Sequence, residues 1–387
     1  MTALSMSGGY ILCALSISLT NGSFKNAVDI FTLDHTGHIQ IHKENYLHRP
    51  KVHKTIDDPE NLSRTLDAED EITSHTLRVF APALSYSDTG NTPVQVIGVD
   101  IERERTTSRL EQKISKGHYF DSKPDANGYY KAMIGAGVAE TLKTGPGDEL
   151  VLISQGADGS VANDIYIVNA VVGTRISPDR TTVFLPLVAA QQFLSMPGRV
   201  HEVALLVKND SKNQQTATLL QKKLPELTVS PWQVVEESFF KSMQTKMRSN
   251  QFTLGIVIFI VFIGVLNTVV MSVMERTREF GVLKAIGSKP VSIVSLITLE
   301  TCILSLLSVA LGFILSLPLI AWFAFVGIEL AEPRDLGGIP ISFMTGEMST
   351  FVFVAPMVLI LIFALIVSIP PGIRAARISP TAAMGSH

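Results

Sequence analysis

The sequence carries apolar runs long enough to cross a lipid bilayer, and a chain that enters hydrocarbon must close its backbone hydrogen bonds within itself. A spanning helix needs about 20 mostly apolar residues, because about 30 Å of hydrocarbon is crossed at 1.5 Å per residue. The clearest run, Phe252–Met274, has no charge inside it. A second lies within Val291–Ile328 and contains Glu300, so the chain is expected to enter the membrane near Leu299 and leave it near Val326. A third, Phe351–Ile369, is closed by Pro370-Pro371. The weakest, Met1–Leu19, is diluted by Ser5, Ser7, Gly8, Gly9, Ser16 and Ser18, small residues of the kind that let helices approach closely in lipid. It lacks the basic start and the A-x-A-like site of a cleaved signal peptide, so it reads as a first span. A span opening at residue 1 implies a missing basic leader, and Gly385-Ser386-His387 reads as a cloning scar.

Composition narrows the reading further. Of 387 residues, 46% are hydrophobic and 17% charged, against about 25% charged in a typical soluble domain. The net charge of −3 offers no basic field for nucleic acid, which is excluded as a partner. Cys13 and Cys302 both lie in apolar runs, so the stretch between has no disulfide framework.

Short loops set the orientation through the bias of basic residues to the cytoplasmic side. The loop after the second span carries Arg276, Arg278, Lys284 and Lys289, and the tail carries Arg374 and Arg377. The loop between the last two spans carries Glu329, Glu332, Asp335 and Glu347 against Arg334. Both termini are therefore expected in the cytoplasm and residues 21–250 outside. Lys241, Lys246 and Arg248 oppose this, but long domains cross largely regardless of charge.

The middle stretch mixes strand and helix patterns. Strands are expected at His38–His42, Val94–Val99, Leu150–Ser154, Ile165–Val172, Val183–Leu185 and Val203–Val207. Helices are expected at Pro59–Asp67, Ala136–Lys143, Leu187–Ser195 and Lys212–Lys223. At its end, Val235, Phe239, Phe240, Met243 and Met247 form the apolar stripe of a helix running straight into the second span, a stalk that could pass movement across the bilayer surface. The fold class is an α+β membrane protein: four transmembrane helices, with a large mixed α/β domain inserted between the first and the second.

Catalytic signals are weak. Gly135-Ala136-Gly137-Val138-Ala139-Glu140 approaches a dinucleotide fingerprint, but Glu140 replaces its third small residue, and a tight strand-to-helix turn is the better reading. No G-x-x-x-x-G-K-[ST] loop, nucleophile elbow, H-E-x-x-H or paired-cysteine motif occurs. His38, Gln40 and His42 would share one strand face, where a two-ligand metal clip is weighed against a solvated face; the solvated face is expected. Glu300 reads as a residue at the cytoplasmic interface, tethering or capping a helix start, with a relay role as the alternative. No cofactor, metal or catalytic residue is assigned to this chain.

The segment from Glu275 to Pro290 is the most informative. Charges cluster at Glu275, Arg276, Arg278 and Glu279; Phe280, Val282, Leu283 and Ile286 follow as an apolar stripe, stopped by Gly287 and Pro290. Such a short amphipathic helix between two spans, on the cytoplasmic side, suits a socket on another protein, with a membrane-surface helix that has no partner as the alternative.

Together with Gly281, Lys284 and Ala285, with Glu300, and with Pro371-Gly372-Ile373-Arg374-Ala375-Ala376-Arg377-Ile378-Ser379-Pro380, this segment resembles the permease domain of the FtsX/MacB/LolC–LolE superfamily of type VII ABC systems. Gly37–Ile41, Val96–Asp100 and Thr182–Leu187 resemble that superfamily's MacB-like periplasmic core. The resemblance implies a first span over 1–20, a periplasmic core over 21–250, and a permease domain over 251–384. That domain would hold spans near 252–274, 299–326 and 351–369 and a coupling helix near 275–290. It also implies a bacterial inner-membrane location, a dimer with a second copy or homologous permease, and a cytoplasmic ABC ATPase dimer docked on the coupling helix. ATP and magnesium would be held by that ATPase; lipids and a periplasmic adaptor or substrate protein complete the expected partners. The substrate could be a lipoprotein or another amphiphile, with two rivals: MacB-like export of peptides or small molecules, and FtsX-like regulation of a cell-wall hydrolase.

Overall fold

In the computed structural model, residues 2–336 and 339–377 are described; Met1, the Ile378–Pro380 end of the C-terminal motif and Gly385-Ser386-His387 lie outside the described residues. The chain divides into two compact units, one of residues 1–26, 242–334 and 341–387, the other of residues 27–241 and 335–340. In chain order the elements are α1 (Thr2–Phe31), β1 (Ile39–Lys43), α2 (Pro59–Asp67), β2 (Ile72–Ser87), β3 (Gly90–Val99), α3 (Ile101–Thr107), β4 (Ile114–Gly117) and β5 (Tyr130–Gly135). There follow α4 (Ala136–Leu142), β6 (Glu149–Gln155), β7 (Val161–Val172), β8 (Thr182–Pro186), α5 (Leu187–Phe193), β9 (Glu202–Val207), α6 (Asn213–Lys223), β10 (Leu227–Pro231) and α7 (Trp232–Val235). Last come α8 (Glu237–Glu275), α9 (Thr277–Ala285), α10 (Pro290–Phe325), β11 (Ile328–Leu336), β12 (Ile339–Met344) and α11 (Thr350–Arg377).

The α/β unit is built on one hydrogen-bonded sheet ordered β10-β1-β9-β2-β3-β8-β5-β7-β4, with β6 pairing β2 and β7. Successive side chains of a strand leave on opposite faces, and both faces here are covered. Ile134 and Val183 enter the larger apolar cluster, while their neighbours Met133 and Phe184 enter a second one with Phe120 and Leu110. Asp58 opens α2 and Asp100 opens α3, each carboxylate accepting a backbone N–H of the first turn.

The strand expectations fall on β1, β3, β6, β7, β8 and β9, and the helices on α2, α4, α5 and α6, with shifts of a few residues at their ends. The sixteen-residue β2 is missing from the sequence reading. Its middle is buried on both faces, so hydrophobic alternation is lost, and its inward residues include His75, Thr76 and Arg78. The near-dinucleotide stretch is a strand-to-helix turn from β5 into α4. A Cβ on Gly135 would sit 2.0 Å from the carbonyl oxygen of Asp179, so backbone packing there calls for glycine.

The expected solvated face of β1 does not exist. Gln40 and His42 are buried: Gln40 Nε2 donates to the carbonyl of Thr36 at 3.0 Å, the His42 ring stacks on Tyr46, and His42 Nε2 lies 3.3 Å from Glu202. Among the described residues no group of three or more His, Cys, Asp or Glu could hold a metal.

Helix α1 runs on to Phe31, well past the expected limit at Leu19, so its last turn belongs to the α/β unit. Its Thr20 hydroxyl accepts from Asn250 Nδ2 at 2.6 Å, and its last turns bury Ala27, Val28 and Phe31. Helix α10 begins with Pro290, nine residues before Leu299, a position where proline's missing N–H is harmless. It buries a line of small residues, Thr301, Ser305, Ser308, Gly312 and Ser316, whose Thr and Ser hydroxyls turn back onto their own helix carbonyls. Such a line lets neighbouring helices approach. The segment between the last two spans, expected as an acidic loop, holds the β11–β12 hairpin. Helix α11 does not close at Pro370-Pro371 but continues to Arg377, where Pro371, Gly372, Ala375 and Ala376 are buried. Packing against neighbours can hold a proline-interrupted membrane helix together.

Arg78 is the electrostatic centre of the α/β unit. Its guanidinium bonds Glu104 at 2.6 Å, Glu202 at 3.3 Å and the carbonyl of His35. Burial alone would push its pKa down, but the two carboxylates outweigh this and raise it. Burial pushes Glu104 up, and Arg78 more than reverses it, so its pKa is lowered and its contribution to stability is lost as pH falls. Arg78→Ala would strand two buried carboxylates; we expect a loss of about 3–5 kcal/mol, measured as thermal or denaturant unfolding of the α/β unit in the full chain.

Candidate functional site

The segment after α8 forms a short helix, α9, tied at three points. The first tie is Arg276, where the helix breaks (φ −100°, ψ 14°). Its Nε donates to Glu279 at 2.7 Å and its Nη1 to both carboxylate oxygens of Glu300 at 2.7 Å. These hydrogen bonds, Glu279 first and Glu300 second, raise its pKa. Glu300 thus lies in the third turn of α10 as a tether between two segments, and the tethering reading replaces that of a helix-start cap. The second tie is Phe280, 2% exposed, which packs with Val273, Ile293, Ile297, Ala375 and Ala376 beneath the Arg276 guanidinium. The third is Lys284, whose Nζ donates to the carbonyl of Ala376 at 2.8 Å.

The expected apolar stripe is divided by this packing. Phe280 and Gly281 face inward, whereas Val282, Leu283 and Ile286 are exposed; at about 100° per residue these three lie away from the face that Phe280 and Gly281 share. Glu275, Arg278, Glu279 and Ala285 are also exposed. The free face is therefore apolar along Val282, Leu283 and Ile286 and flanked by charge. Gly287 ends the segment with φ +101°, a conformation that favours glycine, and the Ser288 N–H returns to the carbonyl of Leu283 at 3.1 Å. No acid, base or nucleophile is poised at this site. It is a short helix held at its base with one face exposed. The sequence carried Lys284 and the Ala375-Ala376 pair separately, and only the fold brings them together.

The expected stalk differs at its start. Glu236 (φ −112°, ψ 54°) separates the single turn of α7 from α8, so Val235 stands outside the long helix. Phe239 is buried between Phe31 and Trp232, with ring centroids 4.1 Å and 6.2 Å away. Met243 is buried and Met247 half-buried on the same helix face. At 39 residues, α8 has almost twice the length a span requires.

Four helical stretches among the described residues are long and apolar enough to cross a membrane: Ala3–Thr36, Glu237–Glu275, Pro290–Phe325 and Thr350–Arg377. Residues 1–223 match the family model of the MacB-like periplasmic core domain, and residues 252–380 that of the FtsX-like permease C-terminal domain. The chain belongs to the MacB/FtsX/LolE family of ABC transporter permeases and is a multi-pass membrane protein. It is 21% identical over 387 residues to an uncharacterized ABC transporter permease of Mycobacterium tuberculosis, covering 96% of this chain but 41% of that relative's length. It is 22% identical over 406 residues to the lipoprotein-releasing system transmembrane protein LolE of Haemophilus influenzae, covering 100% of this chain and 94% of LolE. Solved structures similar to it include the periplasmic region of MacB from Actinobacillus actinomycetemcomitans (10% identity, TM-score 0.38, 51% of this chain and 90% of that one). Another is the extracellular domain of YknZ from Gram-positive bacteria (14% identity, TM-score 0.36, 49% and 98%).

Phe280→Ala should remove the buried anchor of α9 and destabilise the helical unit by about 3–5 kcal/mol, read as thermal unfolding in detergent. Arg278→Ala, on the exposed face, should leave that unfolding unchanged.

Proposed function

We propose that the chain is the permease subunit of a bacterial inner-membrane ABC complex in which a separate ATPase dimer docks on α9 from the cytoplasm. The observation that carries this reading is the three-point attachment of α9. Force applied to its exposed face would pass through Arg276–Glu300, Phe280 and Lys284–Ala376 into α8, α10 and α11, instead of dissipating in a loose loop. ATP and magnesium belong to the partner ATPase. Helix α8, with Phe239, Met243 and Met247 as its packed face, would act as the stalk toward a periplasmic α/β unit, and a second permease would complete the dimer. Among substrates, we favour lipoproteins or other amphiphiles of the envelope; the near full-length likeness to a lipoprotein-releasing protein supports this choice. A second reading, export of peptides or small molecules, draws support from the match to the MacB-like core.

Ile286→Asp, at a position 79% exposed, should abolish permease-stimulated ATP hydrolysis while leaving the unfolding temperature unchanged. Gly281→Asp and Gly287→Pro should do the same to the ATPase, and normal stimulation by all three would refute the docking role of α9. In a chain with Cys13 and Cys302 replaced, a cysteine at Lys289 should be labelled only from the cytoplasm and one at Val161 only from the periplasm; the reverse pattern would overturn the orientation. Depletion should accumulate mislocalised lipoproteins, whereas normal sorting with impaired peptide export would favour the second reading.

A further inference from the structure

Three exposed cations play no part in α9 or in the sheet: Lys25 on α1, and Lys246 and Arg248 on α8. The two helices run antiparallel in one register. A Cβ on Gly9 would lie 2.6 Å from Val261 Cγ1, and eleven residues further along both helices Asn250 Nδ2 donates to the Thr20 hydroxyl at 2.6 Å. At about 1.5 Å per residue, Arg248, Lys246 and Lys25 stand about 3, 6 and 8 Å beyond the Thr20–Asn250 level. That level closes the apolar surface. Phe252, just below it, is 73% exposed. The backbone hydrogen bonds from Glu347 to Ser18 and from Gly346 to Phe323 bring the exposed Trp322 to the same height. Aromatic side chains mark the border between hydrocarbon and headgroups, and the headgroup layer beyond it is about 5–8 Å deep. All three cations fall within that layer.

Lys25, Lys246 and Arg248 pair with no carboxylate among the described residues, the half-buried Glu347 included. Further outward, the next carboxylates on α1 and α8 are Asp29 and Glu237, and Glu237 is taken by Lys241. Lys246 and Arg248 stand two positions apart and leave α8 on opposite sides, so the charges ring the helix pair instead of lining one pocket. A soluble anion needs converging donors, which a ring lacks. A lipid needs only its phosphate at the right depth, with its chains held by the apolar surface below. A zwitterionic headgroup brings its own cation to such a contact, whereas a headgroup of net negative charge gains at each position. From the shared depth, exposure and unpaired charge of Lys25, Lys246 and Arg248, we propose that this collar gathers anionic phospholipids around α1 and α8. In the orientation proposed above these lipids belong to the periplasmic leaflet, and the basic residues that run against the inside bias are neutralised there by lipid. The binding itself depends neither on that orientation nor on ATPase docking at α9.

The probe is 5-doxyl phosphatidylglycerol, with 5-doxyl phosphatidylcholine as reference, each added in trace to phosphatidylcholine vesicles holding the full chain. With Cys13 and Cys302 replaced, a bimane on Gln251→Cys, at an exposed position beside the collar, reports nearby spin label by quenching. The glycerol lipid should be enriched at the label about fivefold over the choline lipid, the preference expected of one cation near a membrane surface, and salt should reduce it. Lys25→Gln, Lys246→Gln and Arg248→Gln combined should lower the enrichment to that of the choline lipid at an unchanged unfolding temperature. Arg278→Gln with Lys289→Gln, exposed cations at the other end of the span, should leave it intact. Equal quenching by both lipids, or enrichment that survives the triple substitution, would overturn the collar. Displacement by sn-glycerol 1-phosphate would also overturn it, since a soluble anion would then be the ligand.

Discussion

A peptide group in hydrocarbon has no water to fall back on, and each N–H or C=O left without a partner there costs several kcal/mol. That single constraint makes four helical stretches out of the apolar runs of this chain and leaves their side chains to do the rest. Where small residues line α10, helices can pack closely; where charge approaches the spans, it is neutralised locally, as Glu300 is by Arg276. The same logic governs the soluble part. Arg78 is tolerated at the centre of a sheet because Glu104 and Glu202 surround it. Removing the arginine would be worse than never having buried it.

Much of the architecture was legible before any coordinates. Uncharged runs identify the spans, since length and hydropathy suffice there, and β-branched stretches flanked by turn residues located six strands of the sheet. What escaped was whatever depends on a distant partner. Strand β2 was invisible because both of its faces are buried and hold His75 and Arg78, polar residues that make sense only beside Asp67, Glu104 and Glu202. The polar face of β1 looked solvated because nothing local reveals that His42 meets Tyr46 and Glu202 there. The candidate coupling segment was readable as an amphipathic helix with a glycine stop. Its inside and outside were not, since Phe280 turns inward only to meet Ile293, Ile297 and the Ala375–Ala376 turn.

The two ends of the long helix α8 are treated differently. At the base of the α/β unit Phe239 is wedged between aromatic rings, a broad apolar contact with little directionality. At the other end Arg276 ends the helix with a fork of directed hydrogen bonds. Apolar contacts of the first kind tolerate small rotations, whereas bidentate ion pairs fix angle as well as distance.

The prolines near the end of α11 have a mechanical corollary. Pro370 and Pro371 cannot donate to the carbonyls of Ile366 and Val367, so two successive rungs are missing from the ladder of that helix. A rod with two rungs removed is most compliant at that level. The Lys284 anchor on Ala376 lies just beyond it. Were α9 loaded as proposed, tension drawn on the anchor would flex α11 locally before it tilted the whole span.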